Sequence, residues 1–255
     1  MEHLELTEPE LGGAPTTPIS TALPIFTGPR VETRKPVHPY RTTARIVGAL
    51  YLAGVVVGIG GNIVIQTVLT APDGLPTIAA SSLLLAIGAL CWLAAVAGDA
   101  AHGVLMFPVL KQHSERSAVG YLAARIMDAT FIAVMVLLIL MQIPIGAAYL
   151  SAGSADTTYL QALSTVLTQA NLYAYEIAMI TLGVAGLILC SALLRTGLLP
   201  RPLAVWGLVG YAIILAGSAL QILGFELHSI HAVPGGLWEG FIGVWLIAKG
   251  FGSRS

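Results

Sequence analysis

From Arg45 onward the chain is written as long apolar runs separated by short polar breaks. Six runs stand out, at residues 45–69, 82–110, 119–145, 173–194, 203–223 and 232–248. Each approaches the ~20 residues that an α-helix needs to cross the roughly 30 Å hydrocarbon core of a bilayer. Only helices and closed barrels satisfy their backbone groups in lipid. A barrel strand would alternate polar and apolar positions, and "VMVLLILM" does not. The pattern therefore predicts an all-α polytopic membrane bundle of six transmembrane helices over residues 41–251. The second run is the longest and is expected to tilt, or to bend near Gly98 or Pro108. Ahead of the fourth run, "TYLQALSTVLTQA" is amphipathic and reads as a helical extension suited to the membrane surface.

Composition agrees. Hydrophobic residues make up 56% of the 255 positions and charged residues only 10%, against roughly 25% charged in a soluble domain. Residues 1–40 differ: they hold Glu2, Glu5, Glu8 and Glu10 among frequent prolines, with no apolar signal-peptide core. They read as a disordered cytoplasmic tail, which leaves the first run as the insertion signal. Residues 252–255 form a short second tail. Cys91 and Cys190 fall in separate runs and are expected to be free thiols.

Charge sorts by loop. Arg30, Arg34, Lys35 and Arg41 precede the first run, Lys111 and Arg116 follow the second, Arg195 and Arg201 follow the fourth, and Lys249 and Arg254 close the chain. The connections around Asp73, Asp156 and Glu226 hold no Lys or Arg. By the positive-inside rule both termini are expected to be cytoplasmic. No basic stripe suggests nucleic acid.

Within the runs, one cation remains apart from Arg45 at the first membrane boundary. Arg125 lies in the third run with Asp128 three residues on, and the second run carries Asp99 and His102 at the same spacing. That spacing puts each pair on one helix face. The short connection "KQHSERS" makes the two helices an antiparallel hairpin, which brings all four residues to similar depth. A charge at that depth costs about 2.5–3.5 kcal/mol on insertion scales, so the four would cost on the order of 10 kcal/mol facing lipid. The two faces are expected to meet inside the bundle, with Asp99 as cross-helix partner of Arg125. Glu239 falls at a similar level and Glu176 nearer the outer edge. Asn62, Gln66, Gln142, Asn171 and Gln221 fall in the outer half of their segments, and an outward-opening polar pocket lined by Asn62, Gln66, Gln142, Tyr175 and Gln221 is expected above this network.

With these positions in hand, the chain resembles the bacterial multi-pass membrane proteins grouped as domain of unknown function 4386. The resemblance covers about residues 41–251. It rests on "RTTARIVGALYL", on Asp99, on Arg125 with an acid one turn later (Asp128, where glutamate is usual), on "YAYEIAMITLG", on "RTGLLPRPLAVWG" and on "PGGLWEGFIGVWLIAKG". It implies an all-helical membrane domain of about six spans in a bacterial inner membrane, and it implies no activity.

Three functional classes follow. The charge network serves small-molecule or ion binding of a transport-like kind, or it is a structural ionic lock in an accessory or sensor protein. The third class, a membrane-embedded enzyme acting on a lipid, has no catalytic motif behind it. His102 reads as a proton shuttle or, more simply, as a hydrogen-bonded helix histidine. Glu226, His228 and His231 in "FELHSIH" have zinc-compatible side chains, but the spacing favours a plain polar loop over a metal site. Gly54 and Gly58, like Gly236 and Gly240, read as close helix-packing faces. Trp206, Tyr211 and Trp238 read as interface anchors or packing residues. No cofactor is implied; the bilayer is the expected partner, and a homo-oligomer is left open.

Overall fold

The computed structural model describes residues 40–227 and 230–252. The tail 1–40 therefore lies outside the described residues except for Tyr40, as do His228 and residues 253–255. Seven α-helices follow in order: α1 (Arg41–Leu69), α2 (Leu75–Ala80), α3 (Ser82–Lys111), α4 (Glu115–Ser151), α5 (Ser154–Thr196), α6 (Arg201–Ile222) and α7 (Val233–Ala248). No strand occurs among the described residues. Six helices are long and apolar enough to cross a membrane, and α2 is a short far-side element between α1 and α3. The chain is a multi-pass membrane protein.

The six long helices close a ring. Around it run α1, α3, α4, α5, α6 and α7, with α7 packed back against α1. Because successive long helices alternate in direction, Arg41, the α3–α4 turn, the α5–α6 turn and Lys249 share one end, here called the terminal face. Its exposed cations are Arg41, Arg45, Lys111, Arg116, Arg195, Arg201 and Lys249.

Local chemistry sets the turns at this face. Ser114 caps α4 by accepting a hydrogen bond from the Ser117 backbone N–H at 3.2 Å, with Glu115 in the first turn where the helix dipole favours an acid. The "RTGLLPRP" stretch works in the same physical way. Gly197 ends α5 in the left-handed region, at φ 69°, and Pro200 and Pro202 start α6.

The hairpin of α4 and α5 is longer than expected. At about 1.5 Å per residue, the 37 residues of α4 and 43 of α5 far exceed what a bilayer crossing requires. The amphipathic stretch before residue 173 is not a separate surface helix; it is the far half of α5. Its polar positions Gln161, Ser164, Thr168 and Asn171 recur every three or four residues, which places them on one stripe. That stripe faces α4. The Gln142 amide donates to Ser164 O at 3.0 Å and Thr168 Oγ1 at 3.1 Å, and accepts from Ser164 Oγ at 2.7 Å. Asn171 donates to Met135 O at 3.0 Å. Polar groups that find partners on a neighbouring helix have no need of headgroups.

Candidate functional site

The α3–α4 hairpin delivers the ionic residues to the ring's interior. Arg125 donates from Nη2 to Asp99 Oδ1 across the helix pair, and from Nη1 to Asp128 Oδ2 at 3.2 Å one turn along its own helix. Its Nη2 also lies 3.1 Å from His102 Nδ1. The other imidazole nitrogen, Nε2, is 3.1 Å from the Val47 carbonyl of α1. A carbonyl only accepts, so Nε2 carries the proton and Nδ1 accepts from Arg125. His102 is thus a neutral, doubly satisfied histidine. Tyr51 packs on its ring with centroids 4.2 Å apart.

Glu239 completes the layer from α7. Tyr211 of α6 donates to Glu239 Oε1 at 2.8 Å. Two neighbours fix the tyrosine: Trp238, edge-on at 5.4 Å, and Gly186 of α5, where any Cβ would collide with the phenol ring. Trp238 itself is fully buried and donates to Leu203 O at 2.8 Å. Tyr211 and Trp238 therefore act in packing, whereas Trp206 is 37% exposed on the bundle surface.

Above this layer lies a cavity of about 460 Å³. Asp99, His102, Arg125, Asp128 and Glu239 form its base. The walls are largely apolar, with Val55 and Ile59 from α1, Ile132 from α4, Met179 and Leu182 from α5, and Ile214 from α6. Trp92 and Tyr175 meet edge-on at 6.4 Å and add aromatic surface. Arg125 and Asp128 are 3% and 1% exposed, yet Arg125 Nε and Asp128 Oδ1 have no hydrogen-bond partner. Such orphaned atoms in a buried ion cluster cost free energy unless something else satisfies them.

The expected pocket lining and the observed one differ. Tyr175 lines the cavity. Asn62 and Gln66 are exposed on the outside of α1. Gln142 staples α4 to α5, and Gln221 accepts from the Leu227 backbone N–H at 3.3 Å. Being polar and in the outer half of a span did not determine which way these side chains point; helix rotation did. The cavity wall is accordingly apolar rather than polar. Among the lining residues that sequence reasoning missed, Trp92 and Ala95 sit in register with Asp99 and His102. Spacings of three, four and three mark a single face of α3, and that signal was readable.

Glu176 belongs to a second buried cluster. Its Oε2 lies 3.5 Å from His231 Nε2, which also meets Ser218 Oγ at 3.1 Å. Serine, histidine and a carboxylate suggest a hydrolytic relay, but Ser218 and Glu176 approach the same imidazole nitrogen and Nδ1 has no partner. None of the three lines the cavity. The cluster fastens the loop before α7 to α5 and α6. Glu226 is exposed and His231 buried in this latch. With His228 outside the described residues, no group of three or more His, Cys, Asp or Glu among the described residues could hold a metal.

The glycines also rearrange the expected packing. Gly48 and Gly243 make the tight α1–α7 contact near the terminal face. A Cβ on Gly54, Gly236 or Gly240 would meet nothing within 4 Å, and one on Gly58 only the Trp92 ring at 3.9 Å. Gly54, Gly58 and Gly236 line the cavity instead.

A family model described as Domain of unknown function (DUF4386) matches residues 46–250. No curated protein and no solved structure matches the chain.

Proposed function

We infer the role of this chain from its own cavity, because the chain belongs to the DUF4386 family, whose defining domain has no assigned function. The proposed role is to bind a small molecule within the membrane, as a transport-like binding protein rather than an enzyme. One observation carries this reading: a cavity of about 460 Å³ ends on a buried ionic layer with orphaned polar atoms. That volume falls among ligand pockets, which span roughly 300–1,000 Å³ and combine apolar walls with a few convergent polar groups. The proposed setting is a bacterial inner membrane with both termini cytoplasmic, which the cation-rich terminal face supports.

Native mass spectrometry and density maps of protein purified in mild detergent test the reading. The expected result is a bound molecule in the cavity that is lost in Gly58→Phe, whose ring would occupy the space beside Trp92. A cavity with neither density nor adduct overturns it.

The doubly paired state of Arg125 favours a second reading, that of an ionic lock setting the register of α3 against α4. Under that reading Asp99→Asn lowers stability and changes no ligand occupancy.

A further inference from the structure

The exposure of the cavity's lining is uneven. Its residues on α3, α4, α5 and α6 are buried or half-buried, whereas Ile59 of α1 and Val233, Gly236 and Leu237 of α7 are exposed. The Gly48–Gly243 contact holds α1 and α7 together near the terminal face. Farther out, Gly54 and Gly236 present no side chains and meet no neighbour. The cavity therefore opens between α1 and α7, through a slot edged by Ile59, Val233 and Leu237 that runs inward from the far end of α7.

The base holds more carboxyls than cations. Arg125 is the one Lys or Arg lining the cavity, against the carboxyls of Asp99, Asp128 and Glu239. Asp99 and Asp128 share the guanidinium, while Glu239 accepts from the Tyr211 hydroxyl and forms no salt bridge among the described residues. The Asp99 side chain keeps 29% of its surface accessible. The buried Oδ1 of Asp128 is an acceptor with no donor. The orphaned atoms of the base are thus one acceptor, Asp128 Oδ1, and one donor, the Arg125 Nε–H, while the carboxyls outnumber the guanidinium three to one. An anionic head would meet three carboxyls and a guanidinium whose Nη1 and Nη2 are already engaged. A metal ion has no ligand set of three or more His, Cys, Asp or Glu among the described residues. The walls add the aromatic side chains of Tyr51, Trp92 and Tyr175, a residue type whose ring faces attract cations.

Resting on the binding role proposed above, we infer that the occupant is a lipophilic organic cation: an ammonium or similar monovalent centre on an apolar body, arriving laterally through the α1–α7 slot. The apolar body fills the space between Val55, Ile132, Met179 and Ile214, and the cationic centre sits over Glu239 and Asp99. The base lies near mid-span, 12 residues from the end of α3 at Asp99 and 9 from the end of α7 at Glu239. That depth suits a molecule that partitions into hydrocarbon better than a phospholipid headgroup anchored at the interface.

The test uses full-length protein in nanodiscs of phosphatidylglycerol, titrated with tetraphenylphosphonium and with its near-isosteric anion tetraphenylborate. The expected result is saturable binding of the phosphonium and none of the borate. Glu239→Gln, which keeps an acceptor for Tyr211, should weaken the phosphonium by about tenfold. Gly54→Leu with Gly236→Leu should slow its association by about tenfold by filling the slot without touching the base. Equal binding of both ions, preference for the borate, or binding of neither overturns the cationic assignment. The occupancy measured by native mass spectrometry decides separately whether the cavity binds anything. An unchanged association rate in the double-glycine variant overturns the lateral route. Competition by added phosphatidylethanolamine upholds the ammonium chemistry and makes a lipid its source; absence of competition makes the source a free cation.

Discussion

Gly48 and Gly243 meet back to back where α1 crosses α7. A Cβ added to Gly48 would lie 2.6 Å from the Gly243 carbonyl oxygen, and one added to Gly243 would lie 3.0 Å from the Gly48 carbonyl oxygen. Backbone cannot move aside as a side chain can. Gly48→Ala should therefore cost about 1–3 kcal/mol through overpacking. Gly236→Ala, seven residues from Gly243 on the same helix, meets open space and should be neutral or stabilise by up to ~1 kcal/mol through helix propensity. Thermal unfolding of the two variants in one detergent checks the contrast. Equal melting temperatures would mean that the helices do not approach as closely as described.

The ionic layer predicts a graded response. Arg125→Ala leaves Asp128, 1% exposed, without its hydrogen-bonding partner and strips Asp99 of its cross-helix bond. Breaking a buried pair in this way costs about 3–5 kcal/mol. Asp99→Asn should cost less, since the amide oxygen still accepts from Nη2. Arg125→Met combined with Asp128→Leu removes both orphans and should recover part of the loss. Denaturant titration of the four proteins reads the series; a double variant no better than Arg125→Ala would show that the layer's geometry matters beyond its charge.

His231 ties the segment before α7 to the bundle, and its consequence reaches the cavity. It stands next to Ala232 and Val233, which line the cavity, and its ring presses on Gly217, where any Cβ would collide with it. His231→Ala leaves Glu176 buried with no partner at all, at a cost of about 1–3 kcal/mol. Glu176→Ala in the same protein should return part of that cost, giving a coupling of about 0.5–3 kcal/mol in a double-mutant cycle. Faster hydrogen exchange in residues 232–237 of His231→Ala is the local signature to look for. A change confined to α5 would place the latch elsewhere.

Depth was legible in the sequence, and direction was not. Counting outward from the turn between α3 and α4 was enough to put Asp99, His102, Arg125 and Asp128 at one level, because helical rise is constant. Which way a residue faces depends on how each helix is rolled against its neighbours. Gln142 and Asn171 were readable as intramembrane polar groups, but their partners, Ser164 O and Met135 O, exist only once α4 and α5 are packed. The roles of Gly54 and Gly236 escaped for the same reason. A glycine stripe reads as a packing face unless the helix opposite is known to diverge. The face of α3 from Trp92 to His102 was the readable exception, since its own period carries the cavity wall.

The side of the membrane can be read from charge, and the reading is open to direct test. Every described basic residue on a helix end or turn lies at the terminal face, and the far connections carry Asp73, Asp156 and Glu226 instead. If those cations are retained in the cytoplasm, a reporter fused after Ser255 should be active there, and one inserted at the two-residue α4–α5 turn, Ala152 and Gly153, should be active outside. That turn lies at the tip of the long hairpin, so an insertion there disturbs neither the Gln142 staples nor the cavity. Replacing Lys111, Arg116, Arg195 and Arg201 together with glutamine should weaken the preference and yield a mixed signal from both positions. Reversed reporters in the unaltered protein would place the slot and the cavity in the opposite leaflet, because both lie on the far side of the Gly48–Gly243 crossing.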